Sequence, residues 1–312
     1  MTMQCLDKWW ELKNSIRGRI ASLQAARDRI LHPEFYSRRL SPDAVDRLIS
    51  KKLESSAPFM VGRWGSVEAR LVGESLWKQN VFSRKTLLEA HRNAGIFPVR
   101  QDVLAEVANC LYSSAQSLDV VGCWDSPYQA KLIAKSSPSS VCCDLSSLEP
   151  WLFNGESWLS RLEGRAVLVV HPFVKTISSQ AGNLGGIFTN GRGLPSCELK
   201  LLKPPVTLGH QTEHFASWID ALADLKARVA SVDFDVALIG CGAYGLPLAA
   251  SVKAMGKPSI HLGGALQLLF GIRGRRWEAM PQYASLMNDS WVRPSPDETP
   301  RAASKVDGGC YW

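Results

Sequence analysis

Arg63-Trp64-Gly65-Ser66-Val67-Glu68 places an arginine and a glutamate on either side of a glycine, directly after the short apolar run 58–61. A guanidinium at a strand end holds a phosphate through two parallel N–H bonds, and a neighbouring carboxylate serves a hydroxyl, a base role or a divalent metal. The same two residues also make an ordinary ion pair capping a turn. A second stretch, Gly240-Cys241-Gly242-Ala243-Tyr244-Gly245, matches G-x-G-x-x-G and follows the β-branched and aliphatic run 236–239. Glycines there permit positive φ and a close approach of backbone to an anion, with Gly240, Gly242 and Gly245 as the phosphate-shaping positions; alternatively they allow only tight strand–helix packing. A dinucleotide site also needs an acid about 20 residues on to hold a ribose hydroxyl. Here the next strand, Lys257-Pro258-Ser259-Ile260-His261-Leu262-Gly263-Gly264, offers His261, which disfavours NAD.

Arg273, Arg275 and Arg276 form a third constellation, separated by Gly274 and preceded by a short apolar helix expected at 266–270. The chain returns there to the ligand-bearing end of the sheet, so the three are expected to form an anion-recognition edge, the competing reading being a solvated basic turn. Asn93, in the loop 91–98, His171, at the end of the strong strand 166–173, and Lys175, in the helix that follows, are further candidates. His210-x-x-Glu213-His214 has the form of an inverted zinc-protease pattern, but Pro204-Pro205-Val206-Thr207-Leu208-Gly209 puts the first histidine ahead of the helix, and the match is read as chance.

Strands and helices alternate along the chain: strands at 119–124, 141–145, 166–173, 206–208 and 236–239, and helices at 102–116, 127–135 and from 215 to about 232. That order predicts an α/β, doubly wound, mostly parallel Rossmann-like sheet. Residues 3–31 carry Leu6, Trp9, Trp10, Ile16, Ile20 and Leu23 at helical spacing and predict one long amphipathic helix, followed by a second helix from Ser41-Pro42-Asp43 to about Leu53. The expected organisation is an N-terminal helical segment, 1–54; an α/β domain, 55–293; and a disordered tail, 294–312, poor in apolar residues. Residues 183–194 hold four glycines and read as a loop suited to a lid.

The 312 residues are 46% hydrophobic and 21% charged, which is globular composition. A formal charge of +7 suits an acidic ligand, yet no lysine-rich tail or basic stripe points to nucleic acid. Eight cysteines include no C-x-x-C pair, and several sit inside apolar runs as reduced thiols would. No signal pattern or run of about 18 apolar residues is present, so the expectation is a cytoplasmic protein, at most peripheral to the inner face of the membrane.

Four stretches together resemble the GT-D type glycosyltransferases, bacterial enzymes of surface-polysaccharide and glycoprotein synthesis. The Arg63–Glu68 run resembles that family's Arg-Phe-Gly-Asp-Gly-Glu motif, and residues 91–98 resemble its Asn-Ala-Gly-Phe-Phe loop. His171-Pro172-Phe173 resembles a Pro-Phe strand end, and 236–263 resembles the late strand–turn–helix–strand that ends in Asp-Ile-Gly. The likeness spans about residues 55–275. It implies a glycosyltransferase acting from a nucleotide-sugar donor on a polysaccharide or glycoconjugate acceptor, with Arg63 on the diphosphate and Glu68, Gly65 and Ser66 at the donor. It also implies a divalent metal, Mg or Mn, but Ser66 stands where the family has the aspartate of its Asp-x-Glu pair, and a hydroxyl is a poor ligand for a hard cation. His261 likewise replaces the later aspartate. The alternatives are a Rossmann enzyme using NAD(P) or S-adenosylmethionine, whose glycine turn normally follows the first strand, and a non-catalytic nucleotide-sugar-binding protein. The N-terminal helix is expected to pack on the domain, the competing reading being a homo-oligomer contact.

Overall fold

Seven strands of three to five residues supply the frame: β1 (Met60–Arg63), β2 (Val120–Cys123), β3 (Val141–Asp144), β4 (Ala166–Val170), β5 (Glu198–Leu202), β6 (Val236–Ile239) and β7 (Ser259–His261). The computed structural model describes residues 30, 33–55, 57–124, 126–153, 157–188, 191–208, 214–300, 303–306 and 308–312. The long helix expected at 3–31 and the residues 210–213 of the zinc-like pattern therefore lie outside the described residues, apart from Ile30. All strand pairs are parallel, in the order β3-β2-β1-β7-β6-β4-β5. The inner strands are buried on both faces, which is why they read as unbroken apolar runs.

Two cores sandwich this sheet, as the alternating sequence predicts. On one face lie the helices α2 (Ser66–Trp77), α4 (Gln101–Ala115), α5 (Gln129–Ser136), α7 (Trp218–Ala230) and α8 (Gly245–Ala254). On the other lie α1 (Pro42–Glu54), α6 (Val174–Gln180) and the turns after β7. α3 (Arg84–Arg92) joins α2 to α4. Capping is local and conventional: Ser41, Ser83 and Ser217 each accept a backbone N–H three residues on.

Three expectations change. α1 does not belong to a separate segment, because Val45, Ile49 and Leu53, four residues apart on one stripe, are fully buried in the core beneath the sheet. No strand forms at 206–208; the edge strand is β5, whose Glu-Leu-Lys-Leu-Leu sequence is only half-buried and so lacks the apolar signature. The described residues of the tail after 293 are held rather than loose. Glu298 is buried and its carboxylate accepts from the Lys175 and Thr176 N–H groups (2.7 and 3.1 Å) and from the Thr176 hydroxyl, capping α6. Trp312 packs edge-on against Phe173 and donates from Nε1 to the Glu298 carbonyl. Few but large anchors do here what composition alone does not reveal. Within the glycine-rich stretch, Leu184–Ile187 forms a helical turn. None of the seven described cysteines is in a disulfide, and no helix among the described residues is long and apolar enough to cross a membrane.

Candidate active site

β1 and β7 are neighbours, but the chain leaves them toward opposite faces: α2 covers one side and the Leu266–Leu269 helix the other. Their carboxyl ends therefore part, and a crevice opens at this topological switch point, where open α/β sheets take their ligands. The crevice has a volume of about 100 Å³, and its polar lining comes from Arg63, Ser66, Glu68, Asn93, His261, Arg276 and Tyr311. Gly65, Val67, Trp124, Gly242, Ala243, Gly263 and Gly264 complete its wall.

Arg63 is the last residue of β1 and is half-buried, with its guanidinium 5.0 Å from the Trp124 ring centre. Trp124 is itself fixed by an Nε1 donation to the Trp64 carbonyl at 2.7 Å. Burial lowers the Arg63 pKa, a shift opposed by Tyr311 and Glu68 and reinforced by the nearby cation of Arg276. Two guanidiniums facing one cleft repel each other, and an anion between them relieves that repulsion. Glu68 occupies the third position of α2 and folds back over Gly65, where any side chain would collide with its carboxylate. Its carboxylate thus lies over the start of a helix that has no capping side chain at Gly65, and it also lines the cleft.

Behind Arg63 lies Glu149, a residue the motifs do not mark. It is buried, its Oε2 has no hydrogen-bond partner, and burial pushes its pKa up to about 7 against the pull of Tyr283 and Arg63.

His261 ends β7 and is buried. Its Nδ1 lies 3.2 Å from the Ile239 carbonyl, which only accepts, so that nitrogen carries the proton and Nε2 is left as an acceptor. Burial, and then Arg63, depress its pKa to about 4, so the ring is neutral at pH 7.

The glycine motif divides. Gly242, with φ +59, is exposed and lines the cleft. Gly245 makes room for the His261 ring, and Gly240 for His171, whose Cδ2 a Cβ would approach to 2.7 Å. Those two glycines serve packing, not phosphate shaping. Tyr244 belongs to the same packing, stacked on Trp218 at 4.8 Å with its hydroxyl 2.9 Å from Thr207 Oγ1.

Four other predicted residues stand outside the cleft lining. His171 is buried, accepts from the Phe173 N–H through Nδ1, and is held neutral by burial, which lowers its pKa to about 3. Lys175 is exposed and paired with Asp297. Arg273 donates to the Asn288 carbonyl at 2.8 Å. Arg275 and Arg276 are both exposed, and of the three clustered arginines only Arg276 lines the cleft. Asn93 does reach it, from the carboxyl end of α3, with Oδ1 accepting from Arg92 Nε.

The implied divalent metal does not suit these residues. Glu68 is the one carboxylate in the cleft lining and is already turned onto the start of α2, Ser66 adds only a neutral hydroxyl, and the facing cations are unfavourable company for Mg or Mn. Among the described residues no three His, Cys, Asp or Glu side chains gather as a metal set.

Sequence comparison finds no matching protein family and no matching curated protein. Structural comparison finds two solved structures of domain of unknown function 1792, each 14% identical. One, selenomethionine-substituted, has a TM-score of 0.38 over 69% of this chain and 76% of its own. The other, described as having a distinct glycosyltransferase fold, has a TM-score of 0.39 over 72% of this chain and 82% of its own.

Proposed function

We propose that the chain is a glycosyltransferase that uses a nucleotide-sugar donor, with the β1/β7 crevice as its donor-phosphate site. The observation that supports this most is the convergence of Arg63 and Arg276 on one small cleft that also presents Glu68. In sugar transfer from a nucleoside diphosphate the leaving group departs with negative charge, and fixed cations in a poorly solvated cleft stabilise that charge without reorganising. Arg63, stacked and desolvated, and Arg276 carry this role in place of a metal. Glu68 orients a sugar or ribose hydroxyl, Asn93 adds an amide, and neutral His261 adds an acceptor at Nε2. The acceptor is a polysaccharide or glycoconjugate hydroxyl aligned with the donor carbon.

Thermal melting across UDP, GDP, TDP and CDP sugars, NAD(P) and S-adenosylmethionine tests the reading, since a ligand at 100 times its Kd stabilises by about 2.7 kcal/mol. A shift with a nucleotide sugar is expected; shifts confined to NAD(P) or S-adenosylmethionine would overturn it. Glu68→Gln is expected to abolish transfer while the melting temperature stays within a few degrees. A variant that loses stability but keeps specific activity would reduce Glu68 to a helix cap.

A further inference from the structure

We infer that the segment Cys310–Trp312 is a strap that closes the anion cleft and swings aside on Gly308 and Gly309 to admit a ligand larger than its phosphates. The inference takes the donor-site reading as its starting point and concerns how that site is opened. Tyr311 is one of the residues lining the cleft, though it lies far along the chain from the strands that build it. Its ring rests on Gly264, where a Cβ would come within 2.5 Å of Tyr311 Cε1, so the backbone after β7 is shaped to receive it. The strap is latched at several points. Gln267 Nε2 donates to the Tyr311 carbonyl at 3.2 Å, and the Arg276 N–H donates to the Cys310 carbonyl at 3.0 Å. Arg276 also donates from Nη1 to the Tyr311 hydroxyl at 3.3 Å and lies 4.7 Å from its ring centre.

Size makes the latch consequential. Sites for small organic ligands usually enclose about 300–1,000 Å³, whereas this cleft holds about 100 Å³. That volume is well short of what a whole nucleotide requires while Tyr311 is in place. Gly308 and Gly309 have φ +71 and +76, and two successive residues in the left-handed region, where side chains are disfavoured, make a natural pivot. These bonds end on neutral acceptors and the three strap residues are only half-buried, so opening breaks few strong contacts while Trp312, on Phe173 and Glu298, sets how far the strap is held down.

The full chain is compared with Tyr311→Ala and with the double variant Tyr311→Ala/Trp312→Ala, each checked for fold by circular dichroism. Modification of Arg63 by phenylglyoxal, a bulky arginine reagent, is followed by peptide mass spectrometry. The strap predicts at least fivefold faster Arg63 modification in a folded variant; equal rates would overturn it whatever the ligand proves to be. Calorimetric titration with UDP and with inorganic pyrophosphate is the second arm. UDP is expected to bind about tenfold more tightly to the variants and pyrophosphate to change less than twofold. Weaker UDP binding in the variants would instead make Tyr311 a stacking platform and overturn the strap. Faster Arg63 modification with no nucleotide binding in any form would keep the strap and reject the nucleotide-sugar reading.

Discussion

Two strand ends in this protein turn into helices through glycine, and they put it to different uses. After β1, Gly65 leaves room for Glu68 to fold back while Arg63 and Glu68 both face the cleft. After β6, Gly240 and Gly245 leave room for His171 and His261, and only Gly242 looks outward. The first turn presents charge; the second largely buries two neutral rings. A glycine in a strand-to-helix turn is thus demanded by whatever approaches its Cα, and in a crowded sheet that visitor is as readily a side chain as a phosphate.

The sharpest test of this contrast lies within one motif. Gly245→Ala drives a Cβ into a buried ring tethered to the Ile239 carbonyl, and is expected to cost at least about 3 kcal/mol in urea unfolding or to prevent folding. Gly242→Ala meets no atom within 4 Å and suffers only its positive φ, so it is expected to cost about 1 kcal/mol. Equal losses would mean the motif acts as one unit and would dissolve the comparison.

Acidity separates the two ends next. His261 has a folded pKa of about 4, below the ordinary value of 6.5, so the unfolded chain takes up its proton first. Its contribution is present above pH 6.5 and is lost as the pH falls through 4, a difference of about 3 kcal/mol. Glu149, behind Arg63, has its folded pKa raised to about 7, so its slope has the opposite sign: stability is fully present below pH 4.5 and declines as the pH rises toward 7. Unfolding curves between pH 4 and 8 are expected to show a shallower acid loss in His261→Gln and, in Glu149→Gln, a gain at pH 8 that vanishes near pH 4. Parallel profiles for both variants and the parent chain would contradict the assignment.

Smallest in energy, and most specific to the cleft, is the arginine contrast. Arg276→Ala is expected to weaken pyrophosphate binding about tenfold, close to 1.4 kcal/mol, and Arg275→Ala to leave it unchanged. Isothermal titration at two salt concentrations checks this, and equal effects would point to diffuse basic charge rather than a positioned guanidinium.

What could be read from the sequence divides along physical lines. The inner strands and the alternation that sets a parallel sheet were legible, because burial on both faces forces continuous apolar runs. Arg63, Glu68 and Asn93 were placed by their position at the end of a strand or in the loop before a helix. The same rule applied to β2 would have marked Trp124, one residue past Cys123. β5 escaped because an exposed edge needs no apolar run, and the tail escaped because its order rests on Glu298, Tyr311 and Trp312 finding partners far away in the chain. Arg276 could not be told from Arg273 and Arg275 by spacing, since Arg275 and Arg276 open a single helical turn that sends adjacent side chains about 100° apart. Glu149 carries no motif at all; its significance comes from burial beside Arg63.

The pairing of β1 with β7 carries a consequence for how the protein comes into being. Ser259 reaches the Phe59 carbonyl across 200 residues of chain through its N–H at 2.9 Å, while its hydroxyl donates to the Ala249 carbonyl at 2.9 Å. The two walls of the crevice therefore come from the first and last strands of the described sheet, and during synthesis Arg63 emerges long before His261 or Arg276 exists to face it. Closing so long a loop is slow relative to forming local helices, so the half-built sheet must wait with the edge of β1 unpaired. A nascent chain has no anion site to fill, and the site assembles only as the last strand slots into the middle of the sheet.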